Sequence, residues 1–310
     1  MRAWTIGAVA LAAALLALLI DPVAVAAGWR AGFLTAGAPV LGAVLMLMIG
    51  RVVGADWRPF GVIAAATPII LLAGLPILPA QFASNVPSHL SVWGSPWFIA
   101  GRTIAAIGAL AFVGLCLVRG ASLTFAAVSL ALYAVLVSIV AYDWLLGGSL
   151  GHPISSIGMI LTAEQIGGAC AGLLILGLGD SGLRRDMSYM LIAMGLALSY
   201  LIFMDYLIKW YADLPSQVDW YLERDNAMSA MAGAALLLGL FGPIISLTLS
   251  NGEAGRRVAA LCSLLALALI NLWFVSGAWL AALVQALVIT WMAAWSLALA
   301  RRRNLQEAHG

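Results

Sequence analysis

Arg102, Asp143, Glu164, Asp205 and Lys209 are ionisable residues set inside, or at the ends of, long apolar runs. In lipid such groups are expensive, so each is a functional candidate until a simpler role accounts for it. Glu164 is the most demanding of them. It lies eight residues past Ser156, where an apolar run begins, and so about 12 Å along a helix from that end. A carboxylate at that depth must be protonated, paired or hydrated. Asp205 and Lys209 are spaced i,i+4 in "SYLIFMDYLIKWYADLP" and can neutralise one another across one helical turn. Simpler roles are open to the rest: Arg102 and Lys209 can extend to headgroups, and Asp143 can begin a loop. Together the five are expected to form a polar cluster in one half of the membrane. Such a cluster would line a polar cavity opening toward that side.

Other chemistries lack their residues. His89, His152 and His309 lie in loops or the tail, so no pair faces across helices to ligate a haem. Cys116, Cys170 and Cys262 sit deep in apolar runs without zinc or iron–sulfur spacing and read as small core residues. There is no Walker loop or nucleophile elbow, and the glycines fall inside apolar helices, where small residues let helices approach. No metal or redox cofactor is expected on this chain, and no catalytic residue is assigned.

The elements that position the candidates follow from composition. The chain has 310 residues, is 64% hydrophobic and only 9% Asp, Glu, Lys and Arg, with a mean hydropathy of +1.06. That is an all-α integral membrane protein, and no polar segment is long enough to fold alone, so 1–310 is read as one transmembrane domain. A span needs about 20 apolar residues. About ten segments qualify: Trp4 to Ile20, Ala31 to Gly50, Gly61 to Pro79, Trp97 to Val118, Ser122 to Tyr142, Ser156 to Leu178, Ser188 to Ile208, Met228 to Ser250, Val258 to Ser276 and Trp279 to Ala300. The first follows Arg2 and resembles a signal peptide, but Asp21-Pro22 ends it at spanning length, which favours an uncleaved helix. With the N-terminus cytoplasmic, the inside collects Arg2, Arg51, Arg58, Arg119, Arg184, Arg185, Arg256, Arg257, Arg301, Arg302 and Arg303, while the outside keeps Arg30, Lys209 and Arg224. This bias places both termini in the cytoplasm and the candidate cluster on the outer side. The longer outer connections hold Trp93, Trp97, Trp144, Trp210, Tyr211, Trp220 and Tyr221, rings suited to the interface or to a docked protein. A net charge of +2 without a clustered basic face argues against a nucleic-acid partner.

Three stretches carry a family resemblance. "DYLIKWYADLPSQVDWYLER", Asp205 to Arg224, resembles the pattern Gln-Tyr-x-x-x-Trp-Tyr-Ala-Asn-x-Pro-Glu-Glu of the polysulfide-reductase C (NrfD-type) membrane subunits of alternative complex III, a quinol:cytochrome c oxidoreductase. "YDWLLGGSLGHPISSIGM", Tyr142 to Met159, is similar to the same family's Asp-Trp-x-x-Ser-Leu-Asp/Glu-Pro followed by Ser-Ser/Thr-Ile, and "SPWFIAGRT", Ser95 to Thr103, to its Pro-Pro-Phe-Phe-x-x-Arg. The likeness is to the second of that complex's two large membrane subunits, and it spans at least Ser95 to Arg224. The chain departs from the pattern at Ser149-Leu150-Gly151-His152-Pro153, which replaces an acidic-Pro step, and at Asp205 and Lys209.

The resemblance implies two four-helix bundles, helices two to five and six to nine, flanked by helices one and ten, in a bacterial inner membrane. It implies a respiratory electron-transport complex with a related quinol-binding membrane subunit and with iron–sulfur and c-type haem subunits outside, and quinone or quinol at a subunit interface. This chain would supply a proton pathway or a scaffold, with Glu164, Asp205, Lys209, Arg102, Asp143 and His152 as pathway or quinol-site candidates. The alternative from another class is a secondary transporter of a small solute, its charges coordinating cargo near a repeat interface. A third reading is a structural anchor without chemistry.

Overall fold

Asp21 followed by Pro22 is a strong helix start. The Asp21 carboxylate accepts the backbone N–H groups of Val23 and Ala24, and proline needs no donor in the first turn. In the computed structural model a helix of 32 residues begins there, α2 (Pro22–Val53), and ends at a left-handed Gly54. The structure describes residues 2–74, 91–146, 154, 156–212, 215–225, 227–250, 252–275, 277 and 279–307. Before α2 comes α1 (Arg2–Leu16); after it come α3 (Phe60–Ala64), α4 (Thr67–Gly74), α5 (Pro96–Val118), α6 (Leu123–Ala141), α7 (Ile157–Leu176), α8 (Ser181–Ala212), α9 (Pro215–Leu222), α10 (Ala227–Leu249), α11 (Glu253–Phe274) and α12 (Trp279–Glu307). No strand occurs among the described residues.

Nine of the described helices are long and apolar enough to cross a membrane. The chain is a multi-pass helical membrane protein, as its composition requires. The third expected segment differs: α3 and α4 break at Ala65 and Ala66, where Pro68 has no N–H to offer the Ala64 carbonyl, which the Thr67 hydroxyl bonds instead. Residues 75–79 of that segment lie outside the described residues. Several helices outrun their expected bounds, α2 and α8 among them. α2 starts at Pro22 rather than Ala31, and α8 runs from Ser181 to Ala212 rather than from Ser188 to Ile208.

α2 is the central helix, packed on α7, α12 and α11. Glycine makes the α2–α7 contact possible. A Cβ on Gly42 would collide with the carbonyl oxygen of Gln165, and one on Gly168 would stand 2.9 Å from the backbone carbon of Ala38. The two backbones touch, which presses the Glu164 turn of α7 against α2. Gly42→Ala is therefore expected to destabilise the protein by about 2–3 kcal/mol, through an overpacked backbone contact. Gly108→Ala, on a face of α5 where a Cβ meets nothing, is the control and should leave the melting temperature in detergent unchanged. At the periphery, α8 and α10 leave most of their surface to the surroundings.

Candidate functional site

Two buried ion pairs occupy one end of the bundle. The first is built by a widened turn: after α6 the chain forms a π-helical turn, Tyr142–Leu146. Asp143, Trp144, Leu145 and Leu146 are all buried there, so the widened turn lies wholly inside the bundle. The Asp143 carboxylate accepts Arg102 Nε at 2.9 Å and Arg102 Nη2 at 2.8 Å, a two-point contact from α5. Arg102 Nη1 donates to Trp93 O at 2.9 Å, and the guanidinium carbon lies 4.2 Å from the Trp93 ring centre and 4.9 Å from that of Phe98. Arg102 and Asp143 side chains are only 11% and 9% exposed, so this arginine does not extend to headgroups. Beside the pair, Trp144 Nε1 donates to Thr103 Oγ1 at 3.1 Å.

The second pair lies within α8. Because α8 continues to Ala212, Asp205 stands about two turns inside the helix rather than closing its end. Lys209 Nζ donates to both Asp205 carboxylate oxygens at 2.9 Å, and Tyr221 Oη donates to Asp205 Oδ2 at 2.6 Å. Tyr221 arrives on α9, a short helix that folds the 215–222 segment back over the bundle end. The rings expected to face an interface are here partly turned inward: Trp220 packs edge-on against Trp273 at 5.1 Å, while Trp210 and Tyr211 remain exposed. Burial, followed by the hydrogen-bonded Asp205 carboxylate, pushes the Tyr221 phenol above its ordinary range, so it stays a donor.

Arg224 closes the same end. Its guanidinium donates to Trp220 O at 2.8 Å, Trp273 O at 3.3 Å and Phe274 O at 3.4 Å, capping the terminal carbonyls of α11, and lies 3.6 Å from the Trp220 ring centre. Burial pulls it down to about 10, still a cation at neutral pH. The two ion pairs share this end, for Tyr142, next to Asp143, lies within electrostatic reach of Asp205.

Glu164 is apart from both. It is fully buried on α7, and neither carboxyl oxygen has a hydrogen-bond partner among the described residues. Its polar neighbour is the Asn271 side chain of α11. Asn271 Nδ2 donates to Thr35 Oγ1 of α2 at 3.4 Å, Gln285 Nε2 of α12 donates to the same oxygen at 3.3 Å, and Asn271 Oδ1 is itself unpartnered. On the next residue of α7, Gln165 Oε1 accepts Tyr133 Oη at 2.7 Å. A carboxyl, two amides and a hydroxyl thus meet where α2, α7, α11 and α12 converge. This is a small polar island in an apolar interior, able to bind and release a proton.

The sequence-derived candidates therefore separate into Arg102 with Asp143, Asp205 with Lys209, and Glu164 among neutral polar groups. Arg102 meets Asp143 rather than Glu164, and His152, like His89 and His309, lies outside the described residues. Among the described residues no group of three His, Cys, Asp or Glu could hold a metal ion, and the cysteines are free. Asn271, Thr35, Gln285, Tyr221 and Arg30 were not anticipated as site residues. Lone amides in "ALINLWF" and "ALVQALV" were the available signal for Asn271 and Gln285. Arg30, assigned by charge counting to an outer loop, lies inside α2 and is buried, with its Nε unpartnered. The Asp21 cap explains the difference, since it starts the helix eight residues before the first charge. Compared with known protein families and with curated proteins, the chain matches none.

Proposed function

We propose that this protein is a membrane subunit of a quinol-oxidising respiratory complex of the alternative complex III type, in which Glu164 is the intramembrane proton-carrying group. The observation that carries the reading is a fully buried carboxyl without an ion pair among the described residues, set beside Asn271, Thr35 and Gln285. A group needed only to hold helices together is better served by the neutral amides already present there, whereas a carboxyl adds a titratable proton. Asn271 links it to the charged end: Phe274 is three residues on, about 4.5 Å along α11, and its carbonyl is bonded by Arg224 beside Tyr221 and Asp205. Protons would pass between Glu164 and that end, with the Asp205–Lys209 and Arg102–Asp143 pairs holding its shape. In this reading helices two to five and six to nine form two bundles, both termini are cytoplasmic, and the charged end faces outward in a bacterial inner membrane.

Quinone chemistry and redox metals belong to the neighbouring subunits in this reading, and the motifs at Ser95–Thr103, Tyr142–Met159 and Asp205–Arg224 support it. Affinity purification from native membranes tests it. A related membrane subunit, an iron–sulfur protein and c-type haem should co-purify, and the preparation should reduce cytochrome c with quinol. A chain that purifies alone and moves solute into liposomes would instead make it a transporter.

A further inference from the structure

α8 and α10 cross so closely at Gly195 and Gly239 that a Cβ on Gly195 would strike the Gly239 carbonyl oxygen. Eleven residues along α8, at Tyr206, the same helices border a cavity of about 340 Å³. Arg224 and Trp273 lie at its buried side, Tyr206, Trp210 and Tyr221 form its aromatic wall, and Asp225 stands exposed at the rim. A narrow apolar crevice adjoins it, shares Ile202 and Leu236 with it, and reaches Gly195 and Gly239. From Tyr206 to Gly195 the helix rises about 16 Å, close to half of a hydrocarbon core of about 30 Å.

The lining is sorted by chemistry. One end offers a cation, an anion and ring faces; the other is mostly aliphatic, with Ser199 and Ser263 as its polar residues. Arg224 spends three N–H groups on the carbonyls of Trp220, Trp273 and Phe274, and its Nη1 also lies 3.7 Å from the Glu223 carboxylate, which leaves the second Nη2 N–H for a further acceptor. Tyr206 and Trp210 stack at 5.7 Å, and Tyr221 meets Tyr206 edge-on at 5.2 Å, an aromatic corner that attracts an ammonium.

We propose that this groove holds one amine-bearing phospholipid, its phosphate on Arg224, its ammonium between Asp225 and the Tyr206–Trp210 rings, and an acyl chain in the crevice between α8 and α10. Adjacent opposite charges match such a headgroup, and neither inorganic phosphate nor an uncharged polyprenyl lipid uses both ends of the groove. The site is independent of the respiratory reading.

Native mass spectrometry of the whole chain after detergent exchange, with phosphatidylethanolamine supplied, tests it. One phospholipid per chain should be retained, and inorganic phosphate alone should not raise the melting temperature. Ala232→Trp, which fills the cavity from α10, should cut retention at least tenfold while helical circular dichroism is unchanged. Asp225→Ala, at the exposed rim, should erase the preference for phosphatidylethanolamine over phosphatidylglycerol, and it carries the test if the tryptophan variant fails to fold. Absence of retained lipid on the folded wild type overturns the proposal. So does equal retention by a folded Ala232→Trp, an unchanged headgroup preference in Asp225→Ala, or tighter retention of a polyprenyl lipid without phosphate.

Discussion

Glu164→Gln is expected to lower quinol-dependent turnover of the purified complex by about 100-fold, the lower range for loss of a positioned proton-transfer group, while leaving the protein at least as stable as before. The two effects have one origin. The amide has the shape of the carboxyl and gives the unpartnered Asn271 Oδ1 a donor, yet it has no proton to exchange. A purely structural Glu164 would show the reverse pattern, with a lowered melting temperature and retained turnover. Glu164→Asp keeps the proton but shortens its reach toward Asn271, and should retain part of the activity. Stopped-flow proton release alongside cytochrome c reduction separates a proton-transfer defect from a general loss of assembly, which would lower both in proportion to haem content.

The second large effect concerns stability. Lys209→Met removes the ammonium that bonds both Asp205 oxygens, and Asp205→Asn leaves that ammonium opposite a neutral amide. Removing one partner of a buried pair costs about 3–5 kcal/mol, because the remaining charge stays out of water. The double variant Asp205→Asn/Lys209→Met removes both charges, keeps an acceptor for Tyr221, and should recover most of the loss. Denaturant unfolding in detergent micelles, arranged as a double-mutant cycle, reads the coupling directly. Additive losses would mean that the 2.9 Å contacts contribute little, and that solvent or lipid headgroups reach Lys209.

The helices were legible because lipid imposes a length and an apolar composition that any reader of the chain can count. Their starts were less so. Asp21-Pro22 was read as the end of the first segment, and the same two residues cap the second, so Arg30 was placed in a loop when it lies in a helix. The Asp205–Lys209 pair could be read from its spacing, since one turn of one helix brings them together. The Arg102–Asp143 pair is 41 residues apart in sequence and depends on a π-helical turn, which no apolar periodicity announces. For Glu164, depth in the apolar run marked the residue, but its neighbours come from three other helices. Which face each helix turns inward depends on glycine contacts such as Gly42 on Gln165, a property of two backbones at once.

The lengths of α2 and α8 bear on how this protein meets its bilayer. Each has 32 residues and so measures about 48 Å, and even at a tilt of about 40° would project about 37 Å against a hydrocarbon core of about 30 Å. The surplus acts as a ruler fixed to the protein. A thin membrane leaves the Asp205 end of α8 in water and headgroups, while a thick one raises hydrocarbon around it. Membrane thickness thereby sets whether water or hydrocarbon meets Trp210 and Tyr211, the exposed rings just beyond the buried Asp205–Lys209 pair.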